Sequence, residues 1–288
     1  MSALKKIVVE LSSTIFCGLV IGLLMAITAN AFVEIAVSAN AYRTSLSWME
    51  FSAGGQTYSL SAIASLILVA ILITSLKRFL NIENWAGPAD SIYAAHRENA
   101  AIDTKRGLGS TLAALIVTSG GGSVGQYGPL VHFGSTIGPS LKTYFRLRMN
   151  PDIFIGCGVA AAISAGFNAP LAGVLFAHEA ILRHFSLRAI APIFVASISA
   201  SAFSEFFYGA SPNMLSLSQT VPPLNNILPL LIALGPLFAV VAVIFMYSLR
   251  MTSTFAAKSG RYKPALPFVA AITCGLVGVI FPEILGLG

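Results

Sequence analysis

Nine apolar stretches run through the chain, and their unequal lengths constrain its fold more than any other feature. They extend from about Val8 to Val37, Leu60 to Leu76, Leu108 to Val117, Pro129 to Tyr144, Ile153 to Phe167, Pro170 to Leu182, Leu187 to Phe207, Ile227 to Leu249 and Pro264 to Phe281. A bilayer core about 30 Å thick takes about 20 helical residues to cross. The first, second, seventh, eighth and ninth stretches supply that length. The middle four are shorter, interrupted by Gly and Pro, and close together. A water-soluble globule is excluded, because such domains carry roughly a quarter charged residues, whereas 10% are charged here and 56% are hydrophobic. The expected class is an all-α polytopic membrane protein.

Helices that stop inside hydrocarbon expose terminal N–H and C=O groups that lipid cannot satisfy. Such ends persist where protein buries them or where they border a polar cavity. Short, broken helices in mid-chain therefore point to an ion or substrate site. The plainer reading is a set of buried helices interrupted by packing glycines. Gly18 and Gly22 are four apart, as are Gly134 and Gly138, so two helix faces allow close backbone approach.

The net charge of +6 is distributed in short basic clusters between apolar runs, not in a stripe that would grip nucleic acid. Basic loops mark the cytoplasmic side. Lys5 and Lys6 place the N-terminus there, on a retained signal-anchor helix that extends past Ala31. Ser38 to Thr57, with Arg43 alone, is expected outside. Lys77, Arg78, Arg97, Lys105, Arg106, Lys142, Arg146 and Arg148 return to the cytoplasm. The uncharged Gly209 to Asn226 is external, and Arg250, Lys258, Arg261 and Lys263 are cytoplasmic again. Cys17, Cys157 and Cys274 lie in separate apolar runs and read as small hydrophobes, with no disulfide or metal spacing.

Chemistry concentrates in Gly120-Gly-Gly-Ser-Val-Gly-Gln-Tyr-Gly-Pro-Leu130. Glycines let backbone amides approach a ligand closely, and Pro129 suits the first turn of a helix. Such a helix start offers free N–H groups and the positive end of its dipole. Together these bind an anion without a full charge, loosely enough for it to leave again. The same residues also suit a tight glycine turn between packed helices.

Two segments carry a resemblance. Gly125-Gln-Tyr-Gly-Pro129 is similar to the G-[KR]-E-G-P element of the CLC chloride channels and chloride/proton antiporters. Gly166-Phe-Asn-Ala-Pro-Leu-Ala-Gly-Val-Leu-Phe176 resembles that family's F-N-A-P-L-A-G-[IV]-L-F segment. The resemblance implies tilted and partly broken helices in an inverted repeat, with one anion pathway in each subunit of a homodimer. It assigns anion binding to Gly125, Gln126, Tyr127 and Gly128. The family's third element, G-S-G-I-P, finds its place near Gly87-Pro-Ala-Asp-Ser-Ile92, making Gly87, Pro88 and Ser91 candidates. Asp90 there equally suits a helix cap.

Departures from the pattern bear on mechanism. The family's glutamate gate, which occupies an anion site and carries a proton, is Tyr127 here, and Gln126 replaces the basic residue before it. A phenol, with a reference pKa of about 10, is a poor proton carrier at neutral pH, yet it can plug a path or donate its O–H to an anion. In Phe176-Ala-His-Glu-Ala180, Glu179 matches the first residue of the family's carboxylate pair, and Ala180 stands where the proton glutamate would be. Passive conduction of chloride or a similar anion, with Tyr127 at the gate position, is therefore expected over proton-coupled exchange. A proton path through His132, His178 or Glu179 is the alternative, with His178 and Glu179 near the cytoplasmic entry.

The family continues for several more helices, which supply a G-x-F-x-P loop and a pore-lining tyrosine. Residues 1–288 are thus expected to form one CLC-like transmembrane domain, C-terminally short and without a soluble regulatory domain. Such a chain is shortened or completed by a partner, and a membrane subunit without transport of its own remains an alternative. An intramembrane hydrolase built on Ser123 and His132 is disfavoured, and His178 and His184 are too far apart for a zinc helix, which needs histidines four apart. Too few carboxylates, Glu34, Glu179 and Glu205, lie in the membrane stretches for a cation path. No enzyme activity, cofactor or metal is expected. The expected setting is a bacterial inner membrane.

Overall fold

The computed structural model describes residues 3–46, 49–53, 56–97, 102–145, 147, 150–209 and 223–286. Among them α1 (Ala3–Thr44) leads into an antiparallel hairpin of β1 (Glu50–Ala53) and β2 (Gln56–Ser59). There follow α2 (Ser61–Leu80), α3 (Pro88–Ala95), α4 (Thr104–Ser119), α5 (Tyr127–Tyr144) and α6 (Pro151–Phe167). Next come α7 (Pro170–Phe176), which continues as a π-helical turn over Ala177–Leu182, then α8 (Leu187–Tyr208), α9 (Leu224–Lys258) and α10 (Leu266–Ile280). The five helical segments long and apolar enough to cross a membrane are Ser12–Thr44, Ser61–Leu80, Leu187–Tyr208, Ile227–Lys258 and Gly260–Ile280. They correspond to the five long stretches of the sequence, and the fold is that of an all-α polytopic membrane protein.

Three local features differ from the expectation. Ser38 to Thr57, read as a loop, remains helical to Thr44 and then forms the hairpin, where Phe51 stacks on Tyr58 at 5.5 Å. Helix α3 has only eight residues and carries Asp90, so no apolar run announces it. The stretch ending at Leu182 changes from α to π geometry at Ala177. Most of the uncharged Gly209 to Asn226 (residues 210–222) lies outside the described residues, as do Arg146 and Arg148.

The chain divides into two compact units, Met1–Ser211 with Ala271–Gly288, and Pro212–Ala270. The second unit consists of α9, a 3-10 turn over Gly260–Ala265 and the start of α10. In the first unit α6 is the central post, with Phe154, Ile155, Cys157, Val159, Ala160 and Ala161 all 0% exposed. It packs against α1, α5, α7 and α8. Both small-residue faces expected from the sequence are close contacts. A Cβ on Gly134 would run into the Gly158 carbonyl, one on Gly138 into the Phe154 carbonyl, and ones on Gly18 and Gly22 into carbonyls of Pro192 and Ala196. Backbones this close leave no room for a side chain and gain dispersion contact that larger residues would forfeit.

Gly158→Val is accordingly expected to lower stability by at least about 2 kcal/mol, since a buried backbone cannot retreat. Gly235→Ala, with no atom within 4 Å of the added carbon, is expected to stay within about 1 kcal/mol of the parent. Thermal melts in detergent check both.

Candidate functional site

The loop between α2 and α3 is pinned to α4 by side chains. Arg106 donates through Nε to the Asn84 carbonyl (2.7 Å) and through Nη2 to that of Trp85 (3.2 Å). The Ala86 N–H donates to Ser110 Oγ at 2.8 Å. Helix α3 then starts at Pro88 with Gly87 as its N-cap, and the Gly87 N–H donates to Asp90 Oδ2 at 2.9 Å. Asp90 therefore acts as the cap that the sequence allowed, and it also meets Arg106 at 3.5 Å. One helix end is fixed in this way by polar groups that hydrocarbon could not replace.

The glycine loop ends α4 and starts α5. Gly121 and Gly125 hold positive φ angles of 99° and 77°, which glycine reaches without the steric cost other residues meet. Gln126 is the N-cap of α5; its carbonyl accepts from the Leu130 N–H (3.2 Å), and Pro129 falls in the first turn as expected. The Tyr127 ring stacks on Phe167 with centroids 3.7 Å apart, lies directly over Gly166, and directs its O–H to the Gly166 carbonyl at 3.4 Å. Any side chain at 166 would displace the ring.

Across from α5, the break between α6 and α7 falls at Asn168, which holds a left-handed φ of 51°. Pro170 opens α7. The backbone around this break is bound by α8. Ser197 Oγ donates to the Pro170 carbonyl at 2.7 Å, Ser164 Oγ to the Ser197 carbonyl at 2.5 Å, and Ser201 to the Asn168 side chain.

These three helix starts border one open cavity of about 520 Å³. Pro88 of α3, Tyr127 and Gly128 of α5, and Ala169 before α7 line it, with Val131, Ile163, Phe167, Ala172 and Phe176 completing apolar walls. Of the candidates named from sequence, Pro88, Tyr127 and Gly128 are thus brought together. Gly87 caps α3 behind Pro88, Gly125 precedes α5, and Gln126 is buried with no partner for Oε1 among the described residues. His178 and Glu179 lie on the π turn that follows Phe176; His178 is 0% exposed and Glu179 is exposed. His178 Nδ1 meets the His184 carbonyl at 3.0 Å, and its ring stacks on Phe185. Phe167 lay inside the quoted motif, but nothing in the spacing marked it or Gly166 as the seat of the Tyr127 ring.

Ser91 is not a lining residue. Fully buried, it contacts His132 Nδ1 at 2.8 Å and Ser135 Oγ at 2.6 Å, while Ser135 Oγ donates to the His132 carbonyl at 2.7 Å. Two hydroxyls cannot supply hydrogens to all of these contacts, so His132 Nδ1 carries the remaining one. Its Nε2 is buried without a partner among the described residues. Ser91 thus joins α3 to α5 within the protein. Ser91→Ala is expected to cost about 1–3 kcal/mol by stranding His132 and Ser135, while Ser123→Ala, on the exposed loop, stays within about 0.5 kcal/mol. Chemical denaturation of the two variants checks this.

Known proteins are similar to this chain in sequence and fold. A family model described as voltage gated chloride channel matches residues 68–288. The H(+)/Cl(-) exchange transporter ClcA of Citrobacter koseri is 33% identical over 180 residues, 59% of this chain and 38% of that protein. The voltage-gated ClC-type chloride channel ClcB of Yersinia pseudotuberculosis is 27% identical over 161 residues, 53% of this chain and 39% of that protein. The chain therefore spans about two fifths of the length of these curated relatives. A crystal structure of a CLC-type fluoride/proton antiporter shares the fold, with a TM-score of 0.80 at 24% identity, over 100% of this chain and 69% of that one. The matched residues contain the α3 start, the glycine loop and the break at Asn168, and the chain belongs to the voltage gated chloride channel (CLC) family.

Proposed function

We propose that this chain forms a transmembrane path for chloride or a similar small inorganic anion, with Tyr127 at the gate position. The observation that carries the reading is that the starts of α3 and α5, at Pro88 and at Tyr127 and Gly128, border one cavity. Helix starts carry a partial positive charge, which acts here across a lining that is almost wholly apolar and in which Pro88 has no N–H to offer. In low-dielectric surroundings such partial charges attract an anion without the tight hold of a buried Lys or Arg. The stacked Tyr127 and Phe167 rings form part of the wall of this cavity. A homodimer in a bacterial inner membrane, with the N-terminus in the cytoplasm, is the setting proposed for it.

Curated relatives include both an exchange transporter and a channel. Passive conduction is favoured by the phenol at position 127 and by Ala180 beside Glu179. The alternative, proton-coupled exchange by another route, draws support from the buried Nε2 atoms of His132 and His178, which lack partners among the described residues.

Chloride efflux from reconstituted liposomes, with external pH recorded, tests both readings. Efflux without proton movement is expected, accelerated at least about threefold by Tyr127→Ala and little changed by Tyr127→Phe, which keeps the ring. Such a change corresponds to about 0.7 kcal/mol in the barrier. Proton uptake tied to efflux would reject the passive path, and equal rates in parent and Tyr127→Ala would remove Tyr127 from the gate.

A further inference from the structure

A second cavity, of about 490 Å³, lies where the end of α1 meets α2 and α4. Its walls are largely hydrocarbon, from Ala39, Leu68, Leu72, Leu115 and Ile116 among others. One cation is set into this lining. Arg43, in the last turn of α1, is 8% exposed and belongs to the membrane-crossing segment Ser12–Thr44. Its Nε and Nη2 both donate to Asn40 Oδ1, at 3.2 and 2.7 Å. Asn40 carries no charge. The ion pairs among the described residues, Arg106 with Asp90 and His184 with Asp152, do not involve Arg43.

A guanidinium keeps its charge in proteins, and a buried charge is costly unless an opposite charge meets it. Ser119 Oγ, on the same cavity, is also buried without a partner among the described residues. A cation and a hydroxyl thus border an otherwise oily space. A bare inorganic anion would satisfy the guanidinium but leave the apolar walls against water or void. A zwitterionic lipid would fill the walls but bring its own cation toward Arg43. An acyl chain ending in an anionic phosphate satisfies both, and the planar guanidinium matches phosphate oxygens in a fork.

We propose that this cavity is a binding site for one anionic membrane phospholipid, with its phosphate on Arg43 and Ser119 and an acyl chain between α2 and α4. Moving an acyl chain from bilayer to protein gains little, because both are apolar. The headgroup therefore sets the selectivity, and anionic lipid is preferred over zwitterionic lipid of the same chains. The site is separate from the Tyr127 cavity, so its existence does not depend on the transport reading.

Native mass spectrometry of the full chain in detergent, titrated with phosphatidylglycerol or with phosphatidylcholine of matched chains, tests the proposal. Phosphatidylglycerol is expected to bind one per chain at least about tenfold more tightly than phosphatidylcholine. Arg43→Gln should erase that preference. Leu68→Trp, which fills the cavity and leaves Arg43 in place, should remove the tight phosphatidylglycerol adduct, and a thermal melt confirms that each variant is folded. Should Arg43→Gln fail to fold, Leu68→Trp still decides. Equal affinity of the parent for the two lipids, or an unchanged phosphatidylglycerol adduct in folded Leu68→Trp, would overturn the proposal.

Discussion

Hydrocarbon offers no hydrogen bonds, so each backbone group released by a broken helix must find a partner inside the protein. The arrangement of α3, α5 and α7 follows from that constraint. At the α6–α7 break, Ser197 Oγ binds the Pro170 carbonyl and Ser201 the Asn168 side chain, while Ser164 Oγ ties α6 to the Ser197 carbonyl of α8. Below α3, Arg106, Ser110 and Asp90 do the same for residues 84–87. At the end of α4, Ser65 Oγ donates to the Gly120 carbonyl at 2.8 Å. Hydroxyls suit this work because they satisfy a carbonyl without bringing a charge into the membrane.

Close packing holds these ends in register. Helix α5 lies against α6 through Gly134 and Gly138, and α1 lies against α8 through Gly18 and Gly22. Two interfaces built on backbone contact leave little freedom to slide, because a side-chain atom added at any of these four glycines runs into a backbone carbonyl. The cavity that α5 borders is thus set by rigid helices. Within it, the stacked Tyr127 and Phe167 rings form a wall of aromatic surface. On the proposed reading, Tyr127 would act as a gate through the position of its ring instead of through charge.

The two cavities described above differ in the positive charge they could offer. The one at Tyr127 has almost wholly apolar walls bordered by helix starts, whose partial charges would suit the mobile anion proposed for it. The one at Arg43 has a full charge, which would suit the bound lipid proposed for it. Partial and full charges have different consequences in the same low dielectric, because the interaction grows with charge while the surroundings screen little of it.

Much of this was legible in the residues. The membrane class, the five long spans, the two glycine faces and the family were set by apolar length, small-residue spacing and two motifs. These are properties of single segments, so they need no knowledge of what a segment meets. Pairing across segments decided the rest. Ser91 was a candidate for the ion because it stands in the right element of sequence, but the fold turns its hydroxyl to His132 and Ser135. Gly166 became the seat of the Tyr127 ring, and Arg43 became a buried cation beside α2 and α4. Helix α3 gave no signal because eight residues with an aspartate do not make an apolar run. The sequence by itself determined the five long apolar spans and the presence of shorter, broken helices between them. Only the tertiary structure decided which polar atoms find each other there, because hydrogen bonds and ring contacts depend on distances between residues far apart in the chain.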